Sequence, residues 1–380
     1  MSVVKNTSTL KILQWNCRSV SKKLILQNEA NKYDIIILVE TWLNETKRFK
    51  LKGFNIVRFN RTSGEAGGLA ICVKDYLFFE KTAISFKSRK LETGSIIVKL
   101  NSENFLITAC YRPPTIDNVT NNLTSLEWKK LCDALLNHSC KNFAHNPLWG
   151  SQKYCTNGKI IGEYLDFDDI ILLNNGCPTH FNLSYSGFSE SCIDLTFCSP
   201  GLFPKSNWYV LDDGWMSDHY PIILELNVNL LFHHRLKYRY NLKKLDWSKF
   251  YSNLDANKVY FNSMQFTNQN VISRYSIFIE YINNAITDAL PNCNKPNNKP
   301  KISPNINASG ERPRCIWWND NCDRATILRK AAKKSIKFKY TLDRFIEVKK
   351  TEAAATKTLR EEKQKSFQSF CNTINHRSKI

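Results

Sequence analysis

Short apolar runs separated by polar turns dominate the first 230 residues, and they have the length of strands. KILQWN (11–16), DIIILVE (34–40), FNIVRF (54–59), GGLAICV (67–73), SIIVKL (95–100) and NFLITACY (104–111) are rich in β-branched and aromatic side chains, which favour extended backbone. CIDLTFC (192–198) and YPIILELNV (220–228) predict two more strands. Helical spacing is rarer. Residues 18–32 carry it, as do 123–137, where Leu126, Leu131, Leu135 and Leu136 share one face, and a third helix is predicted at 158–167 before the apolar run IILLN. Many strands, Gly-bearing turns and occasional helices predict an α/β sandwich rather than a regular βαβ succession.

After about residue 230 the pattern changes. Residues 229–290 predict a weakly patterned helical connector, and 291–314 (PNCNKPNNKPKISPNINASGERPR) a Pro/Asn/Lys linker with little to bury. From Asn319 to about Phe370, Ala, Lys, Arg, Glu and Leu dominate without Pro or Gly, predicting one or two exposed helices within a basic segment at 315–380. No internal repeat is evident.

Charge sharpens this division. The 380 residues hold 54 Lys+Arg against 34 Asp+Glu, a net charge of +20. Residues 1–230 hold 25 and 22, net +3, while 231–380 hold 29 and 12, net +17. The basic excess therefore belongs to the C-terminal part. With 42% hydrophobic residues, a wholly disordered chain is excluded. No apolar run exceeds the five residues of Ile35–Val39, far short of the roughly 20 of a membrane span, and the N-terminus has no signal-peptide pattern. Thirteen cysteines form no CxxC pair, and several lie inside apolar strands. Reduced, buried thiols and an intracellular, non-membrane protein are expected.

Polar residues at the ends of apolar strands are the candidates for chemistry, because a sandwich presents such ends to a cleft. Taken singly, Glu40 could be an exposed strand-end carboxylate, Asp194 a cap, and Asp218-His219 a turn before a strand. Their order along the chain is more specific: QWN with Asn16, VETWL with Glu40, YRPP with Tyr111 and Arg112, IDLT with Asp194, and SDHYPI with Asp218 and His219.

This order resembles the endonuclease/exonuclease/phosphatase superfamily, most closely the apurinic-type endonuclease domain of jockey-like, LINE-type non-LTR retrotransposons. The resemblance covers residues 10–228 and includes ETWL, GGLAICV, AHNPLWG and SCIDLT; WWNDNCDRA (317–325) also looks like the stretch that precedes the reverse transcriptase in these elements. It implies a DNase I-like fold of two packed β-sheets flanked by helices, and hydrolysis of a DNA phosphodiester, acting in the nucleus. The cofactor implied is Mg²⁺ or Mn²⁺, a hard cation suited to the oxygens of Glu40 and Asn16. His219 would contact the scissile phosphate, with Asp194 holding its other ring nitrogen. Tyr111 would donate from the opposite side, Arg112 and Asn16 would bind phosphate, and Asp218 would lie near the metal or its water.

One element of the pattern is missing. In the family AHNPLWG follows GDFN, whose Asp activates the attacking water and whose Asn holds the phosphate. Here Cys140, Lys141, Asn142 and Phe143 occupy those places without a gap, or else Asn142-Phe143 and Ala144-His145 flank a deletion of about seven residues on the family's spacing. Neither alignment leaves a carboxylate there, and compensation by Asn142 or Asp133 is the weaker reading. An impaired or inactive enzyme is expected. No Tyr-x-Asp-Asp motif occurs, so the chain is expected to stop before a reverse transcriptase. The run RKAAKKSIKFK (329–339) is either a solvated helix face or a contact for DNA or RNA phosphates. Trp317 and Trp318 could stack on bases, though packing against a neighbouring element is favoured. A phosphoinositide substrate is disfavoured by YRPP, AHNPLWG and WWND.

Overall fold

A computed structural model describes residues 9–21, 23–61, 66–83, 91–100, 103–113, 124, 126–127, 130–131, 146–151, 155–165, 170–228, 245–256, 261, 271–290 and 315–377. The chain runs β1 (Thr9–Asn16), α1 (Leu24–Glu29), β2 (Ile35–Val39), β3 (Phe54–Phe59), β4 (Leu69–Lys74), β5 (Phe78–Thr82), β6 (Glu92–Leu100), β7 (Glu103–Tyr111), α2 (Thr156–Leu165), β8 (Ile171–Leu172), β9 (His180–Ser184), β10 (Gly187–Ser191), β11 (Phe197–Cys198), β12 (Ser206–Val210) and β13 (Ile222–Asn227). Helices α3 (Trp247–Ala256), α4 (Val271–Ala289), α5 (Asp320–Phe338) and α6 (Leu342–Arg377) follow.

Six strands form one sheet in the order β12-β13-β1-β2-β4-β3, and β5-β6-β7 form a second. Only β1 and β2 pair in parallel; the other pairs in both sheets are antiparallel. Alternation along the strands builds two cores. Leu10, Ile12, Ile35, Ile37 and Val39 meet Ile96, Val98, Ile107 and Ala109 of the second sheet, closing the sandwich. Leu13, Trp15, Ile36 and Leu38 face the other way, onto Ile25 and Leu26 of α1, and onto Trp215. This is the expected α/β sandwich with flanking helices.

Several boundaries differ from the sequence expectation. Helix 18–32 shrinks to α1 and a single 3-10 turn at Ala30–Lys32, because Arg18 and Ser19 adopt φ of 43° and 78°, a conformation no α-helix contains. The strand expected over 192–198 pairs only at β11, since the amides of Ile193 and Asp194 donate to Thr179 Oγ1 and that of Thr196 to Asn174 Oδ1 instead of to a strand. The helix expected at 158–167 is α2. The one at 123–137 lies largely outside the described residues, as do the linker 291–314 and residues 140–145.

The chain divides into two compact units, His234–Ile306 and the remainder. In the smaller unit α3 packs on α4, the Asp246 amide donates to the Ala289 carbonyl at 3.0 Å, and the Tyr281 hydroxyl donates to the Asn253 carbonyl. The larger unit holds the sandwich together with α5 and α6. The expectation of exposed helices over 319–370 is therefore corrected on one face. Cys322 and Leu359 are buried with Trp15 and Trp215, while Ile336, Phe345 and Val348 pack with Leu183 and Phe188 of the β9–β10 hairpin.

Candidate active site

Strand geometry delivers Asn16. It ends β1 on the inward face of Leu10 and Ile12, two residues beyond Gln14, and is 4% exposed. Glu40 follows the last residue of β2, where alternation would place it beside Leu38. Instead it takes φ 54°, with Trp42 also at 54°. The amides of Thr41 and Trp42 donate to the carbonyls of Gly68 and Gly67 at 3.1 and 2.9 Å, which holds this turn. Gly68 itself has φ 81°, and a Cβ there would lie 3.0 Å from Thr41 Oγ1, so the GGLAICV motif supplies the close backbone approach that redirects Glu40.

The redirected carboxylate meets two partners. Glu40 Oε1 accepts from Asn16 Nδ2 at 2.8 Å and from the Tyr111 hydroxyl at 2.9 Å, joining the two sheets at this end of the sandwich. Burial, then Glu40, push the Tyr111 phenol well above its usual range, so it keeps its proton and donates the hydrogen bond to Glu40.

His219 completes the group. Its Nδ1 lies 2.8 Å from Asp194 Oδ2, and its Nε2 lies 3.4 Å from Asn16 Nδ2. With Nδ1 protonated toward Asp194, a neutral ring accepts at Nε2 and an imidazolium donates there. Burial disfavours the charged ring, but Asp194, with help from Asp218 and Glu40, outweighs it and raises the His219 pKa. Backbone contacts fix both partners: Thr179 Oγ1 receives the Asp194 amide at 2.9 Å, and Trp15 Nε1 donates to the His219 carbonyl at 3.0 Å.

Six of the seven residues singled out in the sequence thus come together: Asn16, Glu40, Tyr111, Asp194, Asp218 and His219. Asp218 turns toward Arg18, whose Nη1 is 2.5 Å away, so its partner is a cation. Arg112 is not brought into the hydrogen-bonded group; its buried Nε has no partner among the described residues. The Asn of AHNPLWG, Asn146, serves local structure by accepting from the Leu148 amide at 2.9 Å and donating to the Gly158 carbonyl at 2.8 Å. Sequence reasoning missed Arg18, Thr179, His180, whose ring centroid is 4.6 Å from that of His219, and Ser217, which donates to the Asn16 carbonyl at 2.8 Å. Only Ser217 carried a signal, as the first letter of SDH.

The donor set suits a hard cation. Oε2 of Glu40 takes no hydrogen bond among the described residues, and the Asn16 amide oxygen, which accepts from the Arg18 amide at 3.2 Å, retains a second lone pair. One carboxylate and one amide oxygen are few protein ligands, as Mg²⁺ prefers when water and phosphate complete its shell. Among the described residues no three His, Cys, Asp or Glu side chains converge on a metal position.

Comparison with known proteins agrees with these motifs. Residues 105–223 match the family model described as "Endonuclease-reverse transcriptase". The RNA-directed DNA polymerase from mobile element jockey of Drosophila melanogaster is 25% identical over 234 residues, 59% of this chain and 24% of that protein. The Drosophila funebris counterpart is 24% identical over 225 residues, 58% of this chain and 24% of that protein. Among solved structures, the endonuclease domain of TRAS1, a telomere-specific non-LTR retrotransposon, matches with a TM-score of 0.47 at 16% identity, covering 58% of this chain and 99% of that one. The chain spans about a quarter of the length of the curated relatives it matches. Residues 105–223 are thus similar to the endonuclease-reverse transcriptase family, and the α/β sandwich carries that segment.

Proposed function

We propose that the chain is a divalent-metal-dependent DNA endonuclease domain that nicks target DNA, and that this copy is catalytically impaired. The observation that supports this reading is the Asp194–His219–Asn16–Glu40–Tyr111 chain of hydrogen bonds at one end of the sandwich. Glu40 and Asn16 would hold Mg²⁺ or Mn²⁺, which when bound supplies positive charge for the phosphate and the departing oxygen. His219, once protonated beside Asp194, would give up the Asn16 Nδ2 contact and donate from Nε2 to a phosphate oxygen. Tyr111 would donate from the other sheet, and Arg18, held by Asp218, and Arg112 would neutralise phosphate charge. DNA is the partner and the nucleus the place of action.

Impairment follows from the chain before Asn146, where no carboxylate takes the place of the family's GDFN. A missing positioned base costs about 10²–10⁴ in rate. Nicking of supercoiled plasmid tests the reading: weak Mg²⁺- or Mn²⁺-dependent nicking that disappears in Glu40→Gln and His219→Ala is expected. Metal-independent nicking, or nicking unaffected by both changes, would overturn it.

A second reading keeps nucleic-acid binding without cleavage. It is favoured by the cations that remain exposed on the helices, among them Lys330, Lys334, Lys350 and Arg360. Binding of DNA or RNA through these should fall steeply with salt. A flat salt response would count against it.

A further inference from the structure

The loop that leads into His219 is held from outside the sandwich. Trp215 and Met216 both have positive φ, 47° and 68°, which non-glycine residues adopt only when their surroundings impose it. Asp213 opens this loop. Its Oδ1 accepts the Trp215 amide at 3.2 Å, and the next turn closes with the Ser217 amide on the Gly214 carbonyl at 2.8 Å. Ser217 Oγ then receives the His219 amide at 3.3 Å. What fixes Asp213 is Arg329 of α5, which donates Nη1 to Oδ1 at 2.7 Å and Nη2 to Oδ2, with the two side chains 0% and 4% exposed.

Arg329 is the first of three cations spaced four apart along one face of the helix. Lys333 lies 4.7 Å from the ring centroid of Phe181 and 3.1 Å from Glu352; Lys337 lies 4.3 Å from that of Tyr220 and 2.9 Å from Glu190. Phe181 and Tyr220 flank the His180–His219 bridge. A second contact reaches the loop from α6, where Thr356 Oγ1 sits 3.5 Å from Met216 Sδ. The basic run 329–339 therefore turns every fourth residue onto the elements around His219, with Arg329 and Lys333 buried and Lys337 partly exposed.

We propose that Arg329 is a positioning residue for His219, acting through the Asp213 loop, so that α5 and α6 form part of the framework of the site. A forked guanidinium fixes both carboxylate oxygens, which a lysine cannot do. The idea rests on the functional reading for the importance of His219, but the placement of the loop is measurable without catalysis.

Hydrogen–deuterium exchange on the full chain tests it, comparing wild type with Arg329→Lys, Arg329→Met, the double variant Asp213→Asn/Arg329→Met, and Lys334→Ala, which removes an exposed charge from the same helix. Arg329→Met leaves a buried carboxylate without its partner and can fail to fold; the double variant removes both charges and the lysine variant keeps one. The amides of Trp215, Ser217 and His219 should exchange about tenfold faster or more in the double variant, and by a smaller factor in Arg329→Lys. Those of β1 and β13 should not change, and the loop amides of Lys334→Ala should exchange as in wild type. In the nicking assay Arg329→Lys should lower kcat about tenfold with KM unchanged. Loop exchange unchanged in both Arg329→Lys and the double variant would overturn the proposal, even where nicking is measurable. Faster loop exchange in a chain that never nicks would keep the proposal and reject the nuclease reading. Failure of the double variant to fold while Arg329→Lys exchanges like wild type also counts against it, because the pair would then hold only the overall fold.

Discussion

His219–Asp194 and Arg329–Asp213 are both buried ion pairs, and their members His219 and Asp213 sit six residues apart on one loop. Their surroundings differ. Arg329 is sealed under α5, carries a permanent charge and binds its partner with two donors. His219 and Asp194 keep 10% and 8% of their side chains exposed, and His219 turns its second nitrogen toward Asn16 and the Glu40 carboxylate beyond it. A pair sealed away from any substrate can place a loop but cannot exchange a proton with that substrate. A pair whose second ring nitrogen faces Asn16 rather than a sealed core can do both. The loop from 213 to 219 thus has a fixed end and, in the proposed function, a reactive end.

Breaking the sealed pair should have the largest effect. Arg329→Met leaves the Asp213 carboxylate buried without its fork, and a loss of about 3–5 kcal/mol is expected by urea unfolding followed through tryptophan fluorescence. Adding Asp213→Asn should return most of that loss, because the stranded charge disappears. A loss below about 1 kcal/mol in the single variant would mean that the pair is no more than a surface contact.

The open pair should matter less for stability, and in another pH range. Asp194→Asn is expected to cost about 1.5–3 kcal/mol below neutral pH, the range for a charge-assisted hydrogen bond. The His219 pKa is raised in the fold, so this contribution is complete below the unfolded value of 6.5 and fades as pH rises through the folded value. Asp213 behaves in the opposite sense. Burial works to raise its pKa, but Arg329 holds it below the ordinary 3.8, so its contribution is present above that value and disappears as pH falls through the folded one. Stability–pH curves of the two variants should therefore rejoin wild type at opposite ends, Asp194→Asn on the alkaline side and Arg329→Met on the acid side. Loss in the same window for both would erase the distinction. The smallest effect is expected for Lys337→Met, about 0.5–1 kcal/mol, since Lys337 is partly exposed over Tyr220 and its pairing with Glu190 is screened.

Much of the sandwich was legible because its inner strands are long, apolar and β-branched. FNIVRF is β3 to the residue, and KILQWN and NFLITACY fall inside β1 and β7. The strands that escaped notice are short and amphiphilic: FFEKT at β5, SNWYV at β12, and the β9–β10 hairpin, whose exposed positions are polar enough to read as loop. Six candidate residues could be picked out because each lies in a motif at or near the end of a strand. Arg18 and Thr179 were not, since what they do depends on which backbone they meet. The inward direction of Arg329, Lys333 and Lys337 was equally hidden. Charge counts cannot tell a cation facing solvent from one facing an aromatic ring, and only the helical four-residue spacing hinted at it. The net +17 of the C-terminal part is consequently a poor measure of the charge available to nucleic acid.

The most direct test of the central claim is plasmid nicking in Mg²⁺ by the chain as it stands, beside the same chain with Gly-Asp-Phe-Asn restored before Ala144. The account predicts weak nicking by the former and a gain of about 10²–10⁴ on restoration that is lost again in His219→Ala. Equal, His219-dependent turnover by both forms would contradict it, because the site would then need no carboxylate from the missing motif.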